Sequence, residues 1–125
     1  MVNPTYFKSK LQNLVLQEYK IEFLGINFDQ IVLLLTDSKA ERICQWISDI
    51  MKREIQPITI RSDHLYKQYP INQLLVFRYP FSIDSIEYRI LFVKVKNSIF
   101  IEFHLGDHKY YDKIRKDLDL KKSSY

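Results

Sequence analysis

The first apolar positions of the chain recur every three or four residues, which is helical spacing: Phe7, Leu11, Leu14 and Val15. Asn3 and Pro4 precede this stripe. The pair is typical of a helix N-terminus, with asparagine as the cap and proline in the first turn. The pattern predicts a first helix from about residue 4 to residue 18.

The next segment, residues 20 to 36, has the pattern of a β-hairpin. Ile21, Glu22 and Phe23 alternate between apolar and polar, and Gly25 offers a turn. Residues 31 to 35 form a short apolar run that suits a buried strand. We therefore predict two short strands joined by a turn.

A capping box, Ser38-Lys39-Ala40-Glu41, precedes the clearest amphipathic pattern in the chain. Pro57 cannot continue a helix and closes the segment. The apolar stripe follows the 3.6-residue period and consists of Ala40, Ile43, Cys44, Ile47, Ile50 and Met51. The pattern predicts one capped central helix, in which Cys44 is a buried and inert thiol.

Three strand-like runs follow, at residues 73 to 77, 87 to 95 and 98 to 105, and the chain is helical again from His108 to Leu118. The separators Asp84-Ser85 and Lys96-Asn97 are turn formers, so the runs are expected to pair as antiparallel neighbours. The middle run is apolar on both faces, as in a central strand covered on both sides. Residues 58 to 60 could form a further short strand, and residues 61 to 69 a loop or short helix.

The expected fold class is therefore α+β. It has an N-terminal helix and β-hairpin, one capped central helix, an antiparallel sheet of three C-terminal strands and a short C-terminal helix. The chain has 125 residues, 46% of them apolar, which suits a single domain over residues 1–125. One cysteine, no signal-peptide layout at the N-terminus and no long apolar run lead us to expect a cytoplasmic protein without a membrane partner.

Charge is unevenly placed along the chain. The net charge is +4, yet residues 1 to 60 contain seven Lys and Arg against seven Asp and Glu, whereas residues 61 to 125 contain twelve against eight. A basic half can bind phosphates, because each neutralised phosphate releases a condensed counterion. The alternative is a surface that is lysine-rich for solubility.

Several familiar site types are absent from the sequence or fit it poorly. With two glycines in the chain, most glycine-rich phosphate loops are excluded. His104 and His108 are four residues apart, but they fall across a predicted strand-to-helix junction and no cysteine pair completes a metal site. We treat Glu102 as a surface or edge carboxylate, and we expect no metal or other cofactor.

The remaining candidates are cations and phenols of the second half, and they suit RNA. Guanidinium groups bind phosphates in bidentate fashion, and aromatic rings stack on bases. Cleavage of RNA by its own 2′-hydroxyl needs a proton acceptor, stabilisation of the charged phosphorane and a proton for the leaving oxygen, which such side chains supply. The set comprises Arg89, Lys94, Lys96, His108, Lys109, Tyr110, Tyr111, Lys113, Arg115 and Lys116.

Three segments follow one another along the second half of the chain. They are Tyr88-Arg89-Ile90-Leu91-Phe92, the apolar strand of residues 99–104, and Leu105-Gly106-Asp107-His108-Lys109-Tyr110-Tyr111. With the preceding strand they resemble the end of RelE/ParE-superfamily toxins over about residues 72 to 111. RelE-type members are ribosome-dependent mRNA endonucleases, ParE-type members act on gyrase, and a cognate antitoxin neutralises both. The resemblance implies RNA or the ribosome and an antitoxin as partners.

The resemblance also assigns roles to residues. It implies that Arg89 binds the scissile phosphate, that Lys109 takes the place of a second arginine, and that Tyr111 or Tyr110 is the terminal tyrosine. His108 takes the place of the family histidine. We name Arg89, His108, Lys109 and Tyr111 as catalytic candidates, and the nucleic-acid-binding candidates are Lys94, Lys96, Tyr110, Lys113 and Arg115.

The chain departs from the family pattern in three places. Asp107 is inserted between Gly106 and His108, and lysine at position 109 cannot form the bidentate fork of arginine. The family begins with one strand and a helical hairpin, whereas a helix, a β-hairpin and one helix are predicted here. The expected function is a RelE-like, metal-independent mRNA endonuclease or translation inhibitor. The alternative is a non-catalytic nucleic-acid-binding or protein-interaction module, in one version a homodimer, that uses the basic C-terminal half.

Overall fold

The structure of the chain is a computed structural model that describes residues 1–16, 18–58, 65–70, 73–96 and 98–118. Its helices are α1 (Pro4–Leu14), α2 (Phe28–Leu34), α3 (Asp37–Met51) and α4 (His108–Asp117). Its strands are β1 (Lys20–Leu24), β2 (Leu65–Tyr66), β3 (Tyr69–Pro70), β4 (Leu74–Ile83), β5 (Ile86–Val95) and β6 (Phe100–Asp107). The predicted α+β class is confirmed for the described part of the chain.

The main sheet has four strands in the order β1-β6-β5-β4. Strands β4, β5 and β6 are antiparallel neighbours, as predicted, and two residues with positive φ angles, Asp84 (50°) and Ser85 (68°), join β4 to β5. Positive φ at both positions is the geometry of a tight two-residue hairpin. The sheet is mixed rather than wholly antiparallel, because β1 pairs in parallel with β6. The predicted Lys96-Asn97 turn includes Asn97, which lies outside the described residues.

The predicted β-hairpin over residues 20 to 36 is wrong in its second half. Strand β1 is present, but the apolar run after Asn27 belongs to α2. Phe28, Ile31, Val32 and Leu35 are buried at helical spacing, whereas Leu33 and Leu34 between them are exposed. A short unbroken apolar run suits a buried strand or a helix equally well, so only packing against α1 and β6 decides between them.

Helix α3 begins two residues earlier than its capping box predicts. The cap is Thr36, whose Oγ1 accepts a hydrogen bond from the Lys39 amide at 3.1 Å, and Ser38 lies exposed inside the first turn. The predicted apolar stripe is confirmed, because Ile43, Cys44, Ile47 and Ile50 are all buried. Burial also raises the pKa of the Cys44 thiol, which keeps it protonated at neutral pH.

Replacing Thr36 with alanine is expected to lower the free energy of unfolding by about 1 kcal/mol, because it leaves an amide of the first turn without its acceptor. The measurement is urea unfolding followed by circular dichroism. Ser38→Ala is the matched control and should change stability by less than about 0.5 kcal/mol. A larger loss for Ser38→Ala than for Thr36→Ala would show that the capping box, not Thr36, starts the helix.

Different elements pack on the two faces of the sheet. Helices α1, α2 and α3 pack on one face, against residues such as Ile90, Phe92 and Phe103. The other face carries Leu91 and Val93 and is covered by α4 and by the β2–β3 hairpin; we call it the α4 face. Strand β5 is therefore a central strand covered on both sides, as predicted.

The remaining segments differ in how far they can be compared with the predictions. Ile58 forms an isolated bridge to Val76, whereas the other two residues of that predicted strand, and residues 61 to 64, lie outside the described part. Residues 65 to 70 form a two-stranded antiparallel hairpin in place of the predicted loop or helix. The predicted C-terminal helix is confirmed as α4. No helix in the described ranges is long and apolar enough to cross a lipid bilayer.

Candidate phosphate-binding site

Two arginines of neighbouring strands lie together on the α4 face. Successive side chains of a strand alternate between faces, so Arg89 on β5 shares the α4 face with Leu91. Arg78 of β4 is directly opposite Leu91 in the antiparallel register, which makes Arg78 and Arg89 diagonal neighbours. The sheet thus presents two guanidinium groups on one surface near its β4 edge.

Helix α4 brings a tyrosine over these arginines. Asp107 caps the helix, and its Oδ1 accepts a hydrogen bond from the Tyr110 amide at 2.9 Å. The helix sits close to the sheet because Gly106 has no side chain there; an added Cβ would lie 2.5 Å from the Tyr110 ring. Tyr111 is buried, and the centroid of its ring lies 5.9 Å from the Arg89 Cζ. Asp107, which the resemblance treats as an inserted residue, is therefore the N-cap of α4.

A third arginine completes the cluster. Burial raises the pKa of Tyr111, and the positive charges of Arg78, Arg89 and Arg115 act against that rise. All three guanidinium groups are thus close enough to affect one phenol, and the phenol stays protonated at neutral pH. We call Arg78, Arg89, Arg115 and Tyr111 the arginine cluster.

Two carboxylates lie near two of the three guanidinium groups. The Nη2 of Arg89 is 3.5 Å from the Glu87 carboxylate, and the Nε of Arg115 is 3.7 Å from that of Asp112. Within the described residues, the Nη1 of Arg78 and the Nε of Arg89 are buried without a hydrogen-bond partner. Buried guanidinium donors normally have hydrogen-bond partners, and a donor without one lowers the stability of the fold. An anion bound here would offset that loss of stability. The cluster therefore has the guanidinium donors that a phosphate binds, and because the Arg89 side chain is only 12% exposed, side chains around it must move for a phosphate to reach them.

His108 adds a group that can exchange protons beside the cluster. It is the first residue of α4, its side chain is 46% exposed, and its Nε2 lies 3.5 Å from the Asp112 Oδ2. The centroid of its ring is 6.4 Å from that of Tyr111. An exposed imidazole that a carboxylate orients is a suitable proton acceptor for a hydroxyl group of a ligand.

The structure brings together four of the nine predicted site residues: Arg89, His108, Tyr111 and Arg115. It corrects the expectation that Lys109 joins them. Position 109 is about 200° from position 111 around a helix of 3.6 residues per turn, and Lys109 lines a separate cleft with Ile26 and Ile86. Lys113 lies in the same cleft.

Lys94 and Lys96 are also remote from the cluster. Lys94 projects from the opposite face of β5, where its Nζ lies 4.8 Å from the centroid of the Tyr19 ring. Lys96 follows the end of β5, seven residues beyond Arg89, and this separation is roughly 23 Å along a strand. Neither lysine can contact a phosphate that the arginine cluster holds.

Tyr110 belongs to a second polar group on the α4 face. The Oε1 of Glu102 accepts hydrogen bonds from the Tyr66 hydroxyl at 2.7 Å and from the Nε2 of His104 at 3.0 Å. The Tyr110 hydroxyl lies 2.8 Å from the Nδ1 of His104, and it donates when the imidazole is neutral. Lys67 binds the other carboxylate oxygen of Glu102. We call these five residues the Glu102 network.

The network corrects the treatment of Glu102 as a surface carboxylate, because its side chain is only 14% exposed. Burial opposes its ionisation, but hydrogen bonds from His104, Lys67 and Tyr66 outweigh burial and lower the pKa of Glu102 to about 2. Burial and the nearby Glu102 charge raise the pKa of Tyr110 to about 12. The network thus holds an ionised carboxylate and protonated phenols at neutral pH, and it joins β6 to α4 and to the β2–β3 hairpin.

Arg78 and the members of the Glu102 network other than Tyr110 were missed as site residues. A signal for each is nevertheless present in the sequence. Arg78 is a cation inside an otherwise apolar run, as Arg89 is, and Glu102 and His104 are polar residues two positions apart in an apolar strand. Period-two alternation places Glu102 and His104 on one face of their strand. The register between strands, which the sequence does not show, was needed to bring Arg78 beside Arg89.

Comparisons with known proteins add no relative: no protein-family model, curated protein or solved structure matches this chain.

Proposed function

We propose that this chain is a RelE/ParE-like domain that binds RNA at the arginine cluster and cleaves it without a metal ion. One observation carries the proposal: Arg78 and Arg89 lie side by side on the α4 face next to the buried Tyr111, and the Nη1 of Arg78 and the Nε of Arg89 are buried without a described partner. Arginine binds phosphate oxygens with two parallel hydrogen bonds, and RNA presents a phosphate at every nucleotide. A phosphodiester is therefore the ligand that fits best.

The residues around the cluster supply the proton acceptor and the charge stabilisation that a cleavage reaction needs. His108 accepts the proton of a ribose 2′-hydroxyl, and Asp112 stabilises the imidazolium that forms. The 2′-oxygen bonds to the neighbouring phosphorus, and the guanidinium groups stabilise the charged phosphorane. The bond from phosphorus to the 5′-oxygen then breaks, and this oxygen takes a proton from solvent. The products are a 2′,3′-cyclic phosphate and a 5′-hydroxyl.

The order of secondary structure supports the family part of the proposal. After α1, the chain runs β1, α2, α3 and then the antiparallel strands β4, β5 and β6. RelE/ParE toxins begin with one strand followed by two helices; in this chain α1 precedes the strand, and a β-hairpin and one helix were predicted where β1, α2 and α3 lie. Arg89 lies on β5, in the Tyr-Arg segment that carries the resemblance.

The purified chain is expected to cleave single-stranded RNA in the presence of a metal chelator, with or without added ribosomes. The measurement is gel separation of end-labelled RNA, with mass spectrometry of the fragments to identify a 2′,3′-cyclic phosphate. His108→Ala should lower the rate by about 100-fold, because it removes the proton acceptor. Lys109→Ala, one residue along the same helix, is the matched control and should keep at least half of the rate.

Substrate analogues separate cleavage from binding. RNA that carries 2′-O-methyl groups should bind but remain intact, because its 2′-oxygen cannot attack. Binding should weaken as salt rises, since phosphate contacts release counterions. If the RNA stays intact in every reaction but binds in a salt-dependent way, the chain is a non-catalytic RNA-binding module and not an enzyme. Binding that does not respond to salt would contradict both functions.

A further inference from the structure

A second feature of the α4 face is a groove beside the β2–β3 hairpin. Its volume is about 440 Å³, within the roughly 300–1,000 Å³ of ligand-binding clefts. Val93 and Val95 of β5 form its floor with Leu74 of β4. The hairpin, from Tyr66 to Tyr69, lines one side. The groove is thus built from regular elements of the fold.

Aromatic rings line an otherwise aliphatic groove. Tyr66 and Tyr69 come from the hairpin, and Phe100 comes from the first position of β6. Phe100 remains 47% exposed, although its neighbours along β6 are largely buried. The exposed phenyl ring of Phe100 is a surface on which a flat aromatic ligand can stack, and the Tyr69 ring lines the same groove.

Polar groups at the groove match the edge of a heterocycle. Glu102 and Glu22, opposite each other on β6 and β1, provide carboxylate acceptors, and Gln68 and Lys20 provide donors. The Oε2 of Glu102 accepts from Lys67, and a carboxylate oxygen has room for a second donor. The N–H and carbonyl groups of a nucleobase edge need this mixture of acceptors and donors.

We infer that this groove binds an unpaired nucleobase of the RNA strand whose phosphate occupies the arginine cluster. The inference rests on the proposed function, and it adds the recognition of a base to the binding of phosphates. Val93 at the groove is four residues from Arg89 on the same face of β5, roughly 13 Å along the strand. That distance is about four stacked nucleotides at a rise of 3.4 Å each.

Isothermal titration calorimetry with two 2′-O-methyl hexanucleotides, which cannot be cleaved, tests the inference. One has all six bases, and the other is an abasic strand of the same length and charge. The wild-type chain should bind the strand with bases at least tenfold more tightly. Phe100→Ala should lose this preference while its affinity for the abasic strand stays the same. Tyr6→Ala, which removes an exposed aromatic ring of α1, is the matched control and should keep the preference.

Titrations with two nucleosides show whether the groove binds a base within an RNA strand or a free nucleoside. Guanosine and cytidine, which have no phosphate, should bind at least 100-fold more weakly than the hexanucleotide and shift the NMR signals of Phe100 and Tyr69. Tight binding of either nucleoside would overturn the inference in favour of a site for a free nucleoside. An unchanged preference in Phe100→Ala would overturn it as well, and a folded spectrum of this variant makes the result decisive.

Failure of the inference and failure of the proposed function give different results. If Phe100→Ala and the wild type bind both strands equally while Arg89→Ala binds neither, the groove has no role and the arginine cluster remains the RNA site. If Arg89→Ala binds both strands as the wild type does, the proposed function is wrong, and the groove inference falls with it.

Discussion

Replacing Arg89 with alanine is expected to reduce RNA cleavage by about 100-fold or more, which is the usual cost of losing one group that stabilises transition-state charge. The side chain of Arg89 is 12% exposed and lies between the Tyr111 ring and the Glu87 carboxylate. Its Nη1 also donates a hydrogen bond to the Tyr88 carbonyl, so several contacts fix the orientation of the guanidinium group. Rates of cleavage of one labelled RNA, at saturating enzyme, are the measurement.

Two variants show whether charge or geometry matters. Arg89→Lys keeps the charge but loses the planar fork that binds two phosphate oxygens, so its rate should fall at least tenfold. Arg42→Ala removes the same charge from an exposed position on α3, across the sheet from α4, and should change the rate less than twofold. Equal losses of cleavage rate in Arg42→Ala and Arg89→Ala would show that the arginine cluster contributes only through the overall positive charge of the chain.

Stability should not explain a loss of activity in Arg89→Ala. The Nε of Arg89 is buried without a described partner, so alanine removes an unsatisfied donor as well as a hydrogen bond from Nη1 to the Tyr88 carbonyl. These effects oppose each other. Thermal unfolding of the variant should therefore stay within a few degrees of the wild type, and a much lower midpoint would make the loss of activity uninformative.

Replacing Glu102 with glutamine should lower the free energy of unfolding at pH 7 by about 3 kcal/mol. The substitution keeps the shape of the side chain, but it removes the charge that His104 and Lys67 bind. Breaking one partner of a buried ion pair leaves polar groups without their counterpart in a poorly solvated place. Urea unfolding at pH 7 is the measurement, and Glu22→Gln, at the exposed position opposite on β1, is the matched control.

The same carboxylate predicts a pH dependence. The pKa of Glu102 is about 2 in the folded chain, below the ordinary value of 4.5, so the folded state favours the charged form. Its stabilising contribution is therefore complete above pH 4.5 and is lost as the pH falls towards 2. The difference corresponds to about 3 kcal/mol. Stability curves of the wild type and Glu102→Gln should converge over this range, and parallel curves would show that Glu102 has no special role.

Patterns within one element were sufficient for much of the fold. Proline and asparagine placed the start of α1, the 3.6-residue stripe placed α3, and apolar residues on both faces placed β5 as a strand covered on both sides. These features depend on neighbours in sequence, so the sequence contains them. The apolar run after Asn27 was ambiguous for the opposite reason, because its burial in α2 depends on contacts with other elements.

The sequence by itself determined that the second half of this chain is basic, and that Arg89 and Tyr111 are among the residues that could bind RNA. Tertiary structure decided which cations share a surface. The strand register placed Arg78 beside Arg89. The helical turn of α4 directed Arg115 towards the arginine cluster and Lys109 away from it. The parallel pairing of β1 with β6 likewise placed Glu22 next to Glu102. Such neighbours are distant in sequence, and only the packing of whole elements brings them within reach of one ligand.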